Sequence, residues 1–314
     1  MFKGVDFFPH NTRLPVMQIR KYCIAVSWVA AMIAIALIYT KGLNFGIDFK
    51  GGSLFEIQSK SGPVDISDLR SKLGALGLGD IQIQSLDEPT DALIRVEQQQ
   101  GGETAQQDAA NKVQTALGDT IEIRRAEVVG PAVSGELKQA GVIAVSLAVV
   151  GILFYIWFRF EWQFGVAAIL ALVHDILITI GVFSLLGFEF GLTEVAALLT
   201  LAGYSINDTV VVFDRIRENL RRYKKMPLIE LLNMSVNETL SRTVLTASTT
   251  FLAVLALYVF GTEVIRGFSF AMLFGILIGT WSSIFVAAPF LMWIGIKRDW
   301  SGSSAKEGAA AGKA

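Results

Sequence analysis

Six long stretches nearly free of charge constrain this chain more than any other feature of its sequence. They lie at about 22–40, 139–158, 164–188, 190–213, 241–262 and 267–295. At 1.5 Å per helical residue, each is long enough to cross a hydrocarbon core of roughly 30 Å. Lipid offers the backbone no hydrogen-bond partner, so a chain that crosses it repeatedly in runs of this length must do so as helices. Six transmembrane helices are expected. The last run has 30 uncharged residues, more than a bilayer requires, and should tilt, bend near Pro289 or project beyond the core. An apolar content of 53% over 314 residues is likewise more than an ordinary soluble domain carries.

The first run is not read as a signal peptide, because its 19 uncharged residues are not followed by an obvious small-residue cleavage site. Orientation follows from the flanking bases. Lys3, Arg13, Arg20 and Lys21 precede the first span, and Arg159 separates the second from the third. Arg215, Arg217, Arg221, Arg222, Lys224 and Lys225 follow the fourth, and Lys297 and Arg298 follow the sixth. The opposite short loops carry only Arg266, so both termini are expected in the cytoplasm. The expected organisation is a cytoplasmic N-terminus at 1–21, a first helix at 22–40, an external domain at 41–136, a five-helix bundle at 137–296 and a disordered cytoplasmic tail at 297–314. That tail ends in a Gly-, Ser-, Ala- and Lys-rich segment, Ser301–Ala314.

Within residues 41–136 the pattern changes from continuous apolar runs to short alternating ones. An extended stretch at Phe45–Phe49 leads to a strand at Ser53–Gln58 and a capped helix at Asp65–Leu76. Strands at Ile81–Leu86 and Ala92–Glu97, a helix at Thr104–Leu117 and a strand at Thr120–Val129 complete the order βαββαβ. This is the order of an α+β ferredoxin-like domain. The domain has no His and no Cys, and its acids are scattered, so no metal site, cofactor site or nucleophilic triad is visible. Binding or mechanical coupling is expected of it rather than enzymatic catalysis. Cys23 is the only cysteine, which excludes an intramolecular disulfide. A net charge of −1 gives no nucleic-acid signal.

The chemistry is concentrated inside the spans. Asp208 stands six residues, roughly 9 Å, before the charged boundary at Asp214 and Arg215. An ionised carboxylate at that depth costs at least ~2.5 kcal/mol, so it should be paired, hydrated or protonated. Arg242, near the start of the fifth span, lies at a comparable depth and is the expected partner. Arg242, Thr246, Thr249 and Thr250 share one helical face, while Tyr204, Thr200 and, four turns away, Glu194 share the side of Asp208. Glu194 is expected at the outer mouth of a polar path. An ion pair that merely fixes the register of two helices is the alternative, and a threonine stripe alone can satisfy its hydroxyls on its own backbone.

His174 and Asp175 form a second polar point in the third span; their side chains leave the helix about 100° apart and are not expected to face one path. Gly267, Ala271, Gly275, Gly279, Ser283 and Ala287 recur every four residues, a stripe that lets another helix approach closely. The bases from Arg215 to Lys225 suit anionic lipid, or less directly a cytoplasmic partner.

Three segments resemble the SecF branch of the SecD/SecF family, in the RND superfamily. They are FGIDFKGG at 45–52, VGPAVSGEL at 129–137, and GYSINDTVVVFDRIREN with SRTVLTASTT at 203–219 and 241–250. The resemblance implies an RND half-unit in the bacterial inner membrane, with the inserted domain in the periplasm. A SecD partner would supply the other six spans, SecYEG and YajC would be companions, and a preprotein would be the substrate, moved with the proton-motive force. It implies that Asp208 and Arg242 are the functional pair; Asn207, Asp175, His174, Glu194 and Thr246 are secondary candidates from the reading of the spans themselves. Gly46, Asp48, Gly51 and Gly52 belong to the motif loop. Lys50 departs from the family pattern, in which many relatives have Thr before the paired glycines. Two rival readings stay open: a small-molecule or lipid exporter of the same superfamily, and a non-transporting assembly subunit.

Overall fold

The computed structural model describes residues 14–86 and 88–296. The expected disordered segment at Ser301–Ala314 and the bases Lys3, Arg13, Lys297 and Arg298 lie outside the described residues. In chain order the elements begin with α1 (Val16–Thr40), β1 (Asn44–Phe45), α2 (Ile47–Lys50), β2 (Gly52–Ser59) and α3 (Ile66–Gly74). Then come β3 (Ile81–Ser85), β4 (Asp91–Val96), α4 (Gly102–Leu117), β5 (Ile121–Val129), α5 (Pro131–Arg159) and α6 (Trp162–Leu186). The chain continues through β6 (Glu189–Phe190), α7 (Leu192–Arg222), α8 (Leu228–Phe260) and α9 (Glu263–Ser282), and through a π turn at Ser283–Ala287 into α10 (Ala288–Ile294). Two compact units result: residues 44–146 with 189–192, and a second that holds the remaining described residues.

In the first unit, β2 to β5 form one antiparallel sheet in the order β3-β4-β2-β5. With α3 and α4 this is the expected ferredoxin-like arrangement. The alternation that marked the strands is the alternation of the core: Phe55 and Ile57 from β2 and Ala92, Ile94 and Val96 from β4 are fully buried. They pack with Leu69 and Leu73 of α3 and with Ala110 and Val113 of α4. Each large apolar side chain so removed from water contributes about 1.5–3 kcal/mol. Asp65 caps α3 by accepting from Ser67 N and Asp68 N at 2.9 and 3.1 Å.

One expectation is corrected here. Phe45–Phe49 is extended only at Asn44–Phe45, after which Ile47–Lys50 turns into the short helix α2. Apolar residues at 45, 47 and 49 have a strand's period, but the turn packs the Phe45 ring edge-on to Phe49, four residues on, at 6.0 Å. Tertiary packing outweighs the local pattern. Asn44–Phe45 instead pairs in parallel with Glu189–Phe190.

The second unit contains the helices long and apolar enough to cross a membrane, α5 reaching it from residue 147 onward. Six spans are present among the described residues: α1, α5, α6, α7, α8 and Val264–Ile294. Many of their large apolar side chains remain exposed, including Val150, Phe154, Trp157 and Phe158 of α5. That distribution suits lipid, which needs no polar covering. The interior is filled by Phe164, Phe213, Ile216, Leu231 and their neighbours, with Phe213 set edge-on to Phe164 at 5.2 Å.

The small-residue stripe of α9 faces α7. A side-chain atom added at Gly275 would overlap Leu201, and one added at Gly279 would press on Ser205 Cβ at 3.3 Å. The π turn follows at once. Pro289 cannot donate to the carbonyl of Phe285, and its ring crowds that group, so the widened turn at Ser283–Ala287 stands where a regular helix would be strained.

Candidate functional site

Helix α7 buries one face from Glu194 through Leu201, Ser205, Asp208 and Val212 to Ile216. Asp208 is 4% exposed, and its Oδ2 has no hydrogen-bond partner among the described residues. Arg242, on α8, is near enough for its charge to act on Asp208. Neither a hydrogen bond nor an ion pair joins the two side chains, and Arg242 is exposed. The geometry is therefore an approach without a closed pair.

Polar groups around Asp208 and Arg242 are turned partly inward. Thr246 Oγ1 donates to Arg242 O at 2.8 Å, Thr250 Oγ1 to Thr246 O at 3.0 Å and Thr200 Oγ1 to Ala196 O at 2.8 Å. Each hydroxyl proton is thus used by its own helix. Asn207, Thr200, Thr249 and Arg242 nevertheless form exposed positions inside the spans of the single chain. Glu194 is buried at the start of α7, with its carboxylate against Gly267 of α9.

A second acidic position lies in the middle of α6. Asp175 is fully buried, and its Oδ2 accepts from Ser205 Oγ of α7 at 2.5 Å and from Ser282 Oγ of α9 at 2.7 Å. His174 Nδ1 lies 2.9 Å from Asp175 Oδ1. The expectation that His174 and Asp175 would face different paths is therefore corrected: rotation about their side-chain bonds brings adjacent groups together although their Cβ atoms diverge. Thr179 Oγ1 donates to Asp175 O at 2.8 Å.

Sequence reasoning missed Ser205 and Ser282. Ser205 stands within the quoted motif, one turn before Asp208, and that spacing was the available signal.

The motif loop is organised around another carboxylate pair. Asp48 Oδ2 accepts from Leu192 N, the first residue of α7, at 2.9 Å. Glu189 is bonded by Arg95 of β4 and by the Ile47 N–H, and its side chain lies over Gly46. Burial pushes Glu189 above the usual carboxylate range; the Arg95 charge opposes this, and the nearby Asp48 charge adds to it. Gly51 and Gly52 take positive φ values of 74° and 123°, and a side chain at Gly52 would meet Val96 O at 2.5 Å. Lys50 is exposed and ends α2.

Fold and site together define a polytopic membrane protein with an inserted ferredoxin-like domain and acids buried within its spans. Residues 109–297 match the model of protein export membrane protein SecD/SecF, C-terminal, and residues 36–62 match the SecD/SecF GG motif. Protein translocase subunit SecF of Desulfurispirillum indicum is 47% identical over 287 residues, covering 89% of this chain and 91% of that protein. The Rhodobacter capsulatus SecF is 48% identical over 290 residues, covering 88% and 86% respectively. The crystal structure of SecDF from Thermus thermophilus superposes with a TM-score of 0.79 at 36% identity over 91% of this chain. This chain spans only 39% of that SecDF, and 39% of the Brucella abortus SecDF to which it is 43% identical. The chain belongs to the SecD/SecF family of protein export membrane proteins.

Proposed function

We propose that this chain is the SecF-type half of a protein-export unit of the bacterial inner membrane, with both termini cytoplasmic and the ferredoxin-like domain in the periplasm. It acts with a SecD-type half and beside SecYEG and YajC, and uses the proton-motive force to promote preprotein translocation and release. The observation that carries the reading is Asp208, an acid with an unpartnered oxygen inside the spans, near an arginine that it does not bond. Intramembrane ionisable groups commonly mark ion pathways.

The exposed polar positions supply the argument for a partner. Lipid cannot satisfy Asn207 or the Arg242 guanidinium, so a second membrane half that covers them removes a cost of a few kcal/mol. In the cycle, a proton from the periplasm neutralises Asp208 and frees Arg242, and its loss to the cytoplasm restores their attraction. Each charge moved supplies ~2.3 kcal/mol per 100 mV, enough to bias a conformational equilibrium with a gap of a few kcal/mol.

The test is export in vesicles containing this chain, a SecD-type partner and the translocon. Asp208→Asn should abolish the stimulation by an imposed potential, and Arg242→Lys should impair it because the planar fork is lost although the charge is kept. Normal stimulation in Asp208→Asn would remove the proton-carrier role.

A further inference from the structure

We propose that the His174–Asp175 pair is a second intramembrane proton-binding site, read out on α9 through Ser282. The inference deepens the proton-coupling reading and rests on it for its purpose, though not for its chemistry. The site is built from three helices. Asp175 is fully buried, and three side chains converge on it: His174 Nδ1 at Oδ1, a donor when that nitrogen carries a proton, and Ser205 Oγ and Ser282 Oγ, which donate to Oδ2. His174 Nε2 is buried and has no partner among the described residues.

Two opposed effects act on this carboxyl group. Complete burial with no bonded Lys or Arg favours the neutral acid, whereas the converging donors favour the anion. A site that stabilises both forms can load and release a proton. His174 is the titratable group in contact with it. On the packed elements, Tyr22, Cys23 and Tyr39 of α1 and Glu194, Tyr204 and Asp208 of α7 are the other titratable groups within the spans. None of them bonds Asp175, and Arg242 is on α8. Arg20 and Lys21 lie near the start of α1, Arg266 lies four turns before Ser282 on α9, and the π turn and α10 contain no ionisable residue.

Ser282 has one hydroxyl proton and two acceptors within reach, Asp175 Oδ2 at 2.7 Å and Gly279 O at 3.1 Å. When Asp175 is ionised, Ser282 donates to it. When a proton occupies Oδ2, that proton is donated to a serine oxygen, and the Ser282 proton turns to Gly279 O. The same carbonyl accepts from Ser283 N, the first residue of the π turn. Proton occupancy thus changes the hydrogen bonding of the carbonyl at which the helix passes from α to π geometry, and π turns inside helices are frequent at functional positions. Ser205 carries the same signal to α7, one turn from Asp208.

The test uses the purified full chain in lipid vesicles, titrated with pH while the carboxylic-acid carbonyl stretch is followed by infrared difference spectroscopy. Asp175→Asn should remove one titrating band that Asp208→Asn retains. His174→Gln should move the midpoint of that band by about one pH unit. Protection of the amides of residues 283–287, taken as exchange relative to the intrinsic rate at each pH, should change about tenfold through the same midpoint, and Ser282→Ala should remove that change. The Ser282→Ala arm keeps the question decidable if Asp175→Asn does not fold. An unchanged set of bands in Asp175→Asn, or equal pH dependence of that protection in the wild type and Ser282→Ala, would overturn the site. Potential-stimulated export that persists in Asp208→Asn bears instead on the proposed function, and leaves the infrared result to stand separately.

Discussion

Asp48 Oδ2 accepts the backbone N–H of Leu192 at 2.9 Å, so an acid in the motif loop caps the helix that carries Asp208 further along. Leu192 N is one of the donors a helix start leaves without an intrahelical partner, and a negative charge there also suits the helix dipole. The cap lies within the same compact unit as β1, β6 and the sheet.

Asp48→Ala should therefore cost about 1 kcal/mol, and Asp48→Asn less, because the amide oxygen still accepts. Hydrogen exchange in the first turn of α7 should rise in Asp48→Ala and stay near the wild type in Asp48→Asn. Equal exchange in both variants would show that the cap does not hold the turn.

Glu189 gives a pH dependence whose sign follows from burial. Its folded value is raised, so the folded state holds the proton more tightly than the unfolded chain does. Its contribution to stability is fully present below the unfolded glutamate value of about 4.3 and is lost as pH rises through the higher folded value. The melting temperature of the wild type relative to Glu189→Gln should fall as pH climbs through that window and level off above it. A difference that grows with pH would mean that Arg95 outweighs desolvation.

The elements legible in the sequence were those with a period. Runs of apolar residues disclosed the spans, alternation disclosed β2 to β5, and depth alone singled out Asp208. The β1–β6 pair was not legible, because two-residue strands have no measurable alternation and their partner lies in a loop far along the chain. The donors to Asp175 were hidden for a related reason. Periodicity says which residues share a helix face, but not which helix that face meets, so Ser205 and Ser282 were invisible as neighbours until α6, α7 and α9 were packed. The stripe at Gly275 and Gly279 was legible as a contact surface, and only its partner, α7, was missing.

That contact predicts unequal costs for the same substitution. Gly275→Ala places a methyl group against the Leu201 side chain at 2.5 Å, whereas the Gly279→Ala methyl meets Ser205 at 3.3 Å, a tightness that a small shift relieves. Overpacking of the first kind costs typically about 1–3 kcal/mol. Thermal denaturation in detergent should rank Gly275→Ala below Gly279→Ala. Leu201→Ala should restore part of the loss as a non-additive pair. Additive effects would place the two residues out of contact.

The basic end of α7 separates a buried hydrogen-bond cluster from an exposed ion pair. Asn219 is 1% exposed, and its Nδ2 donates to Ser235 Oγ at 3.0 Å and to Glu238 Oε2 at 2.7 Å on α8. Arg159 bonds both oxygens of Asp214 at 2.7 and 2.6 Å, with each side chain 41% exposed. Solvent screens the second pair, so a double-mutant cycle on Arg159 and Asp214 should return less than about 1 kcal/mol. Asn219→Leu takes a donor from the buried hydroxyl of Ser235 and buries no replacement, while the exposed carboxylate of Glu238 keeps Arg215 Nε as a donor. Its cost should be about 1–3 kcal/mol, larger than the cycle on the ion pair. The reverse ranking in denaturation would mean that the bases at this end hold α7 by charge rather than by the hydrogen bonds of Asn219.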